Sequence, residues 1–308
     1  MIVASIDIGT NTVLLLIAEV NKGTKEILPL RNEYRMPRIG QGTNTNGIIN
    51  PGKVKLLYDV LKEYEILIKK YNSELVLVTG TNALRIAKNT PEIVNDLKRL
   101  FKFNLEVING DVEAEYAYLG ATSAIDAYSS SMVIDIGGGS TELIFGNKSG
   151  ITFKTSLPMG SVSATEQFLK SSPPLKSEIA SLKEEIKKLL KILNENKTPY
   201  TVVAIAGTAT TLSCMNLNLK EFDENKVEKS KLSSDELKSL INKMSQFSAT
   251  EILEKYGPVM KGREDIILAG AIILSEIMKY FGINKLIASS RGIRYGAIVK
   301  YLDTVNKA

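Results

Sequence analysis

One short stretch of this chain occurs twice. Ile6-Asp7-Ile8-Gly9-Thr10-Asn11-Thr12 is matched by Ile134-Asp135-Ile136-Gly137-Gly138-Gly139-Ser140, displaced by 135 − 7 = 128 residues. In each copy an apolar run, Ile2–Ile8 or Met132–Asp135, delivers an aspartate to a turn with glycine and a small hydroxyl residue. A second apolar strand then leaves, Val13 to Val20 or Thr141 to Phe145, so each copy reads as a β-hairpin. Two such hairpins about one domain apart imply two related domains facing a shared cleft. A chain of 308 residues has room for both.

Between and after the hairpins, strands alternate with helices, the pattern of an α/β protein. Asn50-Pro51 caps a helix carrying Leu57, Leu61, Tyr64 and Ile68, and Leu75 to Thr79 is a strand. Thr90-Pro91 opens a helix with Ile93, Val94, Leu97 and Phe101; Leu105 to Ile108 is a strand leading into a helix from about Asp111 to Ala127. In the second half, helices are expected near 177–193, 233–244 and 265–280, strands at Thr201 to Ala206 and Lys285 to Ser289, and a terminal helix. Residues 216–230 read as a polar loop. Lys176 to Lys197 alternates Glu and Lys at helical spacing and reads as a solvated face.

Composition excludes several chemistries. There is no histidine, which removes Ser-His-Asp and Cys-His catalysis and histidine zinc sites. The single cysteine, Cys214, excludes an intrachain disulfide and fits a reducing cytoplasm. A carboxylate at Asp7 arrives too early for a secretion signal, and the apolar run Ile266 to Leu274 is about half of the ~20 residues a membrane helix needs. The excess of Lys and Arg, 39 − 34 = 5, suits an anionic ligand but does not imply nucleic acid. Neither a Walker loop nor a G-x-G-x-x-G turn is present, which disfavours P-loop and dinucleotide enzymes.

What remains is phosphate chemistry. Glycine turns leave backbone N–H groups open to an anion, and Thr10, Asn11, Thr12, Ser140 and Thr141 add neutral donors beside Gly137, Gly138 and Gly139. Aspartates close to phosphate need a cation such as Mg²⁺, a role for Asp7 and Asp135 with Glu142 nearby. Ala206-Gly207-Thr208 follows a strand and opens a helix; alone it reads equally as a phosphate loop or a capped joint. Arg85, just past a strand end, suits bidentate phosphate binding or a surface ion pair. Glu113 lies in a first helical turn, where acids commonly serve the helix dipole. Without histidine, it is also the natural carboxylate to activate water.

These blocks together resemble the exopolyphosphatase / guanosine-pentaphosphate phosphatase (Ppx/GppA) family of the actin, sugar kinase and heat-shock ATPase superfamily. The matching stretches are DIGTNTVLLLI, RIGQG, TGTNALRIAKN, NGDVEAEYAYLG, VIDIGGGSTEL, SLPMGSV, AGTATTL, GREDIILAGAIIL and SSRGIRYG, spread over nearly the whole chain. The resemblance implies two ribonuclease H-like (actin-like ATPase) domains with a phosphate-binding cleft between them. It places the catalytic glutamate on Glu113, the Mg²⁺ (or Mn²⁺) carboxylates on Asp135 and Glu142, a phosphate-binding arginine on Arg85 and a basic residue of the cleft mouth on Arg263. The chain departs from the family pattern at Val112, at Glu115 where an arginine is usual, and at Thr10-Asn11-Thr12 in place of Ser-Asn-Ser. Glu115 bears on substrate preference more than on chemistry. Longer relatives carry further C-terminal helical domains; this sequence ends about where the two-domain core ends.

The reading is therefore a cytoplasmic exopolyphosphatase with domains at 1–124 and 125–308, the last helix crossing back being the open point. Its substrates are inorganic polyphosphate, guanosine penta- or tetraphosphate, or both, with no nucleic acid or membrane partner and a homodimer allowed. The alternatives are a non-catalytic (p)ppGpp-binding regulator and an acetate- or sugar-kinase-like phosphotransferase.

Overall fold

The computed structural model describes residues 1–125, 130–147, 149–193 and 199–305. Its contacts divide the chain into two units, residues 1–123 with 292–308, and residues 124–291.

The first unit is built on a five-stranded sheet of order β3-β2-β1-β4-β5: β1 (Ile2–Ile8), β2 (Val13–Val20), β3 (Ile27–Arg35), β4 (Leu75–Gly80) and β5 (Leu105–Val107). β1 runs antiparallel to β2 and parallel to β4. Along β1 and β2 successive side chains go to opposite faces. Ile6, Ile8, Val13 and Leu15 join the core formed with the helices α2 (Pro51–Lys70) and α4 (Thr90–Phe101), while Val3, Leu16 and Ala18 pack on the other face. Burial on both sides explains why these strands read as continuous apolar runs. Short helices α1 (Thr43–Asn46) and α3 (Asn82–Ile86) lie in the connections, and α5 spans Gly110–Thr122. The expected continuation of α5 through residues 126–127 lies outside the described residues.

The terminal helix (Ile293–Val305) belongs to this first unit, not to the stretch 125–308 in which the sequence boundaries place it. Its face of Tyr295, Ile298 and Leu302 covers Val3, Leu16 and Ala18. Arg294, itself buried, donates to the Leu15 carbonyl at 3.0 Å and to Asn32 Oδ1 at 2.6 Å. Without this helix one face of the sheet would stand in water.

In the second unit the same order recurs. Its sheet is β10-β11-β9-β6-β7-β8, with β6 (Ser131–Ile136), β7 (Thr141–Asn147), β8 (Gly150–Leu157), β9 (Thr201–Ile205), β10 (Lys231–Ser233) and β11 (Lys285–Ala288). β8-β7-β6-β9-β11 repeats β3-β2-β1-β4-β5, with β10 added at one edge. Around it lie α6 (Ser161–Phe168), α7 (Lys176–Lys191), α8 (Ala206–Asn216), α9 (Glu224–Val227), α10 (Ser234–Met244), α11 (Ala249–Tyr256) and α12 (Ile267–Tyr280). The apolar α12 is buried nearly all round, and among the described residues no helix is long and apolar enough to cross a membrane. The repeat seen in the sequence is thus a repeat of topology.

Candidate functional site

The two hairpins agree in detail. Gly9 N–H donates to the Thr12 carbonyl at 2.9 Å, and Gly137 N–H to the Ser140 carbonyl at 3.0 Å, the same bond displaced by 128 residues. Each turn is also held from behind. In the first, Gly40 N–H donates to the Thr10 carbonyl and Arg38 N–H to the Asn11 carbonyl. In the second, the Gly137 carbonyl accepts from Ser161 N–H and the Gly138 carbonyl from Val162 and Ser163 N–H. The carbonyls are therefore occupied, while the N–H groups of Thr10, Asn11, Thr12, Gly138, Gly139 and Ser140 donate to nothing among the described residues. A turn with bonded carbonyls and open N–H groups is an anion receptor.

The segments that brace the turns, RIGQG and PMGSV, carry no role in the sequence reading. Gly160 is needed because a Cβ there would lie 2.5 Å from the Gly137 carbonyl oxygen. Two threonines expected at the phosphate direct their hydroxyls to carbonyls of the fold. Thr141 is buried and its hydroxyl donates to the Met159 carbonyl at 2.7 Å; Thr208 is buried and donates to the Ile136 carbonyl at 3.4 Å.

The carboxylates differ between the copies. Asp135 lies directly across the strand pair from Glu142, whereas Asp7 faces Leu14. Ser156 Oγ donates to Glu142 Oε1 at 2.9 Å. Asp7 is buried and its Oδ1 has no hydrogen-bond partner among the described residues. Burial, and then the Glu113 charge, push its carboxyl up to about 7, against the pull of Arg294.

Glu113 enters through the start of α5. Asn109 caps this helix, its Oδ1 accepting from Asp111 and Val112 N–H at 2.9 Å each, and its carbonyl accepts from Glu113 N–H. The capped turn presents the Glu113 carboxylate to Arg85, whose Nη1 lies 2.8 Å from Oε2 and also donates to the Ile108 carbonyl at 2.9 Å. Arg85 comes from α3, the short helix that follows β4; Thr81 N–H there donates to the Ile8 carbonyl, which ties α3 to the first turn. Asp7, Arg85, Glu113 and the first turn are therefore brought together within the first unit. Glu115, in place of the usual arginine, pairs with Lys300 of the terminal helix at 2.7 Å.

In the second unit the Gly-Thr loop starts with Ala206 at φ 62°, a left-handed conformation unfavourable for alanine. The guanidinium of Arg263 lies against Gly207, where a Cβ would come within 1.6 Å of Nη1. Arg263 and the loop thus form one basic feature, which no spacing in the sequence predicts.

The chain is similar to known proteins along nearly all of its length. The Ppx/GppA phosphatase family matches residues 16–305. The chain is 32% identical to the bifunctional 3-dehydroquinate synthase/phosphatase of Fusobacterium nucleatum over 97% of its own length, spanning about half (46%) of that protein. It is 29% identical to exopolyphosphatase 2 of Mycobacterium tuberculosis over 96% of both chains. The crystal structure of the Aquifex aeolicus Ppx/GppA family member superposes with a TM-score of 0.89 at 32% identity, covering 100% of this chain and 99% of that one. With its paired hairpins and braced turns, the chain belongs to the Ppx/GppA phosphatase family.

Proposed function

We propose that this protein is an exopolyphosphatase, releasing the terminal phosphate of inorganic polyphosphate with Mg²⁺ and acting on guanosine pentaphosphate with the same residues. The observation that carries the reading is the Glu113–Arg85 pair. A carboxylate able to activate water and a guanidinium able to hold phosphate stand 2.8 Å apart, in a chain without histidine. The family, and a full-length relative named exopolyphosphatase, support the substrate class.

In this reading Glu113 accepts a proton from a water whose oxygen attacks the terminal phosphorus in line. The bond to the bridging oxygen breaks, giving phosphate and a chain one unit shorter. Arg85 and the open N–H groups of the first turn hold the phosphate oxygens and stabilise their charge. Arg263, lying on Gly207, is assigned to the anionic remainder of the substrate.

The residues fit a divalent cation. Asp135 and Glu142 stand directly opposite each other across a strand pair, two hard carboxylates on one face of one sheet. The buried Oδ1 of Asp7, beside Glu113 and without a hydrogen bond among the described residues, is a further oxygen donor. Among the described residues no group of three or more His, Cys, Asp or Glu could hold a metal ion. Mg²⁺ does not need such a group: it takes one or two carboxylates and completes its shell with water and phosphate oxygens. Asp135 and Glu142 are the proposed ligands of the second unit and Asp7 that of the first; metal held there would neutralise phosphate charge.

The test is incubation with Mg²⁺ and a defined long polyphosphate, following free phosphate and chain length on a gel. Gradual shortening of all chains is expected, with apparent affinity falling as salt rises. Internal cuts, or full degradation of some chains beside intact ones, would contradict it. Release without any acceptor excludes both the phosphotransferase and the non-catalytic regulator.

A further inference from the structure

A cavity of about 480 Å³ opens in the second unit where α8, α10 and α11 end, and the residues assigned to hydrolysis take no part in it. Its size is that of a small-molecule site. Lys220, Lys243 and Lys255 line it without any carboxylate, and none of the three forms an ion pair among the described residues. Lys220 Nζ donates to the Lys255 carbonyl at 3.0 Å, which covers a carbonyl at the end of α11 with positive charge. The Lys255 ammonium sits 4.6 Å above the Phe247 ring, so its position is set before any ligand arrives.

The rest of the lining is of another kind. Met215 and Leu219 are apolar, Tyr256 adds a second ring, and Asn218 supplies a side-chain amide. Tyr256 is half-buried and its hydroxyl makes no hydrogen bond among the described residues. Apolar lining with a ring, an amide and an unpaired hydroxyl suits a planar heterocycle. Three ammonium groups without a carboxylate partner suit a phosphate. A bare polyanion would leave the apolar half unused, and a neutral ring would leave the lysines unpaired.

We infer that this cavity binds a nucleoside phosphate, with the base against Tyr256 and Met215 and the phosphate at Lys220, Lys243 and Lys255. This site is separate from the proposed hydrolytic residues, and the inference stands whether or not the chain hydrolyses polyphosphate.

Titration calorimetry with ADP, GDP, pyrophosphate and adenosine tests it on the whole chain. ADP or GDP should bind, and the double variant Lys220→Glu/Lys243→Glu should weaken that binding at least tenfold while Arg85→Ala leaves it within twofold. Tyr256→Phe, which keeps the ring, should weaken it a few-fold and serves as a second variant if the charge reversals disturb folding. Phosphate release by Lys220→Glu/Lys243→Glu should stay at the wild-type level. Three outcomes overturn the inference: no nucleotide binding, binding lost in Arg85→Ala but kept in the lysine variants, or pyrophosphate or adenosine binding as tightly as ADP and GDP.

Discussion

Arg85 and Glu113 are bound to each other through the Nη1 that also bonds the Ile108 carbonyl. The proposed phosphate ligand and the proposed base therefore share one rigid corner, made by the end of β5 and the capped start of α5. The guanidinium neutralises the carboxylate, so an arriving phosphate competes with Glu113 for Arg85. The pair is only partly shielded from solvent, and the pairing itself is worth little, which makes that exchange cheap.

Glu113→Gln should reduce turnover by roughly 10²–10⁴-fold, the usual loss for a general base, while substrate binding survives. Phosphate release and equilibrium binding of polyphosphate measured side by side check this. Activity within a few-fold of wild type would remove Glu113 from the role.

Arg85→Ala should act mainly on binding. Losing a charge-assisted hydrogen bond costs about 1.5–3 kcal/mol, or roughly 10- to 100-fold in kcat/KM. Arg85→Lys should recover part of the loss, since it restores charge without the planar fork. Full recovery by lysine would argue for a point charge and against bidentate holding.

Replacing Asp135 with Asn, or Glu142 with Gln, should raise the Mg²⁺ concentration needed for half-maximal activity at least tenfold. Excess EDTA should stop wild-type hydrolysis. Mg²⁺ should also raise the wild-type melting temperature more than that of either variant, because an ion held by these carboxylates binds only the folded state. Equal shifts in all three proteins would place the metal elsewhere.

Two glycines should separate bracing from binding. Gly160→Ala drives a Cβ into the backbone of the second turn, so both stability, by about 1–3 kcal/mol, and turnover should fall. Gly207→Ala meets the end of a flexible side chain, Arg263, so stability should change less while KM rises. Thermal melts combined with kinetics of the two variants decide between these patterns.

A pH effect on stability is expected from the α7 cap. Glu178 accepts from Leu175 N–H first, and from Ser171 and Lys170, which holds its carboxyl below the usual range. A folded-state value below the unfolded one stabilises above the unfolded value, and that contribution is lost as pH falls through the folded value. Melting temperatures of wild type and Glu178→Gln should therefore differ near neutrality and converge in acid. A gap that is constant with pH would mean the charge plays no part.

The hairpins, their duplication and the α/β class were legible in the residue order, because turn chemistry and strand hydrophobicity are local properties. The place of Glu113 in a first helical turn and of Asp135 at a strand end was legible for the same reason. Packing set the allegiance of the terminal helix, which covers a sheet face laid down about 280 residues earlier at Leu15 and its neighbours. Packing also directs the Thr141 and Thr208 hydroxyls to carbonyls of the fold and lays Arg263 on Gly207. Hydrogen-bond partners and close approaches such as these depend on the packing of distant segments. No residue spacing encodes them, since the same threonine beside the same glycine can face either a ligand or a carbonyl of its own fold.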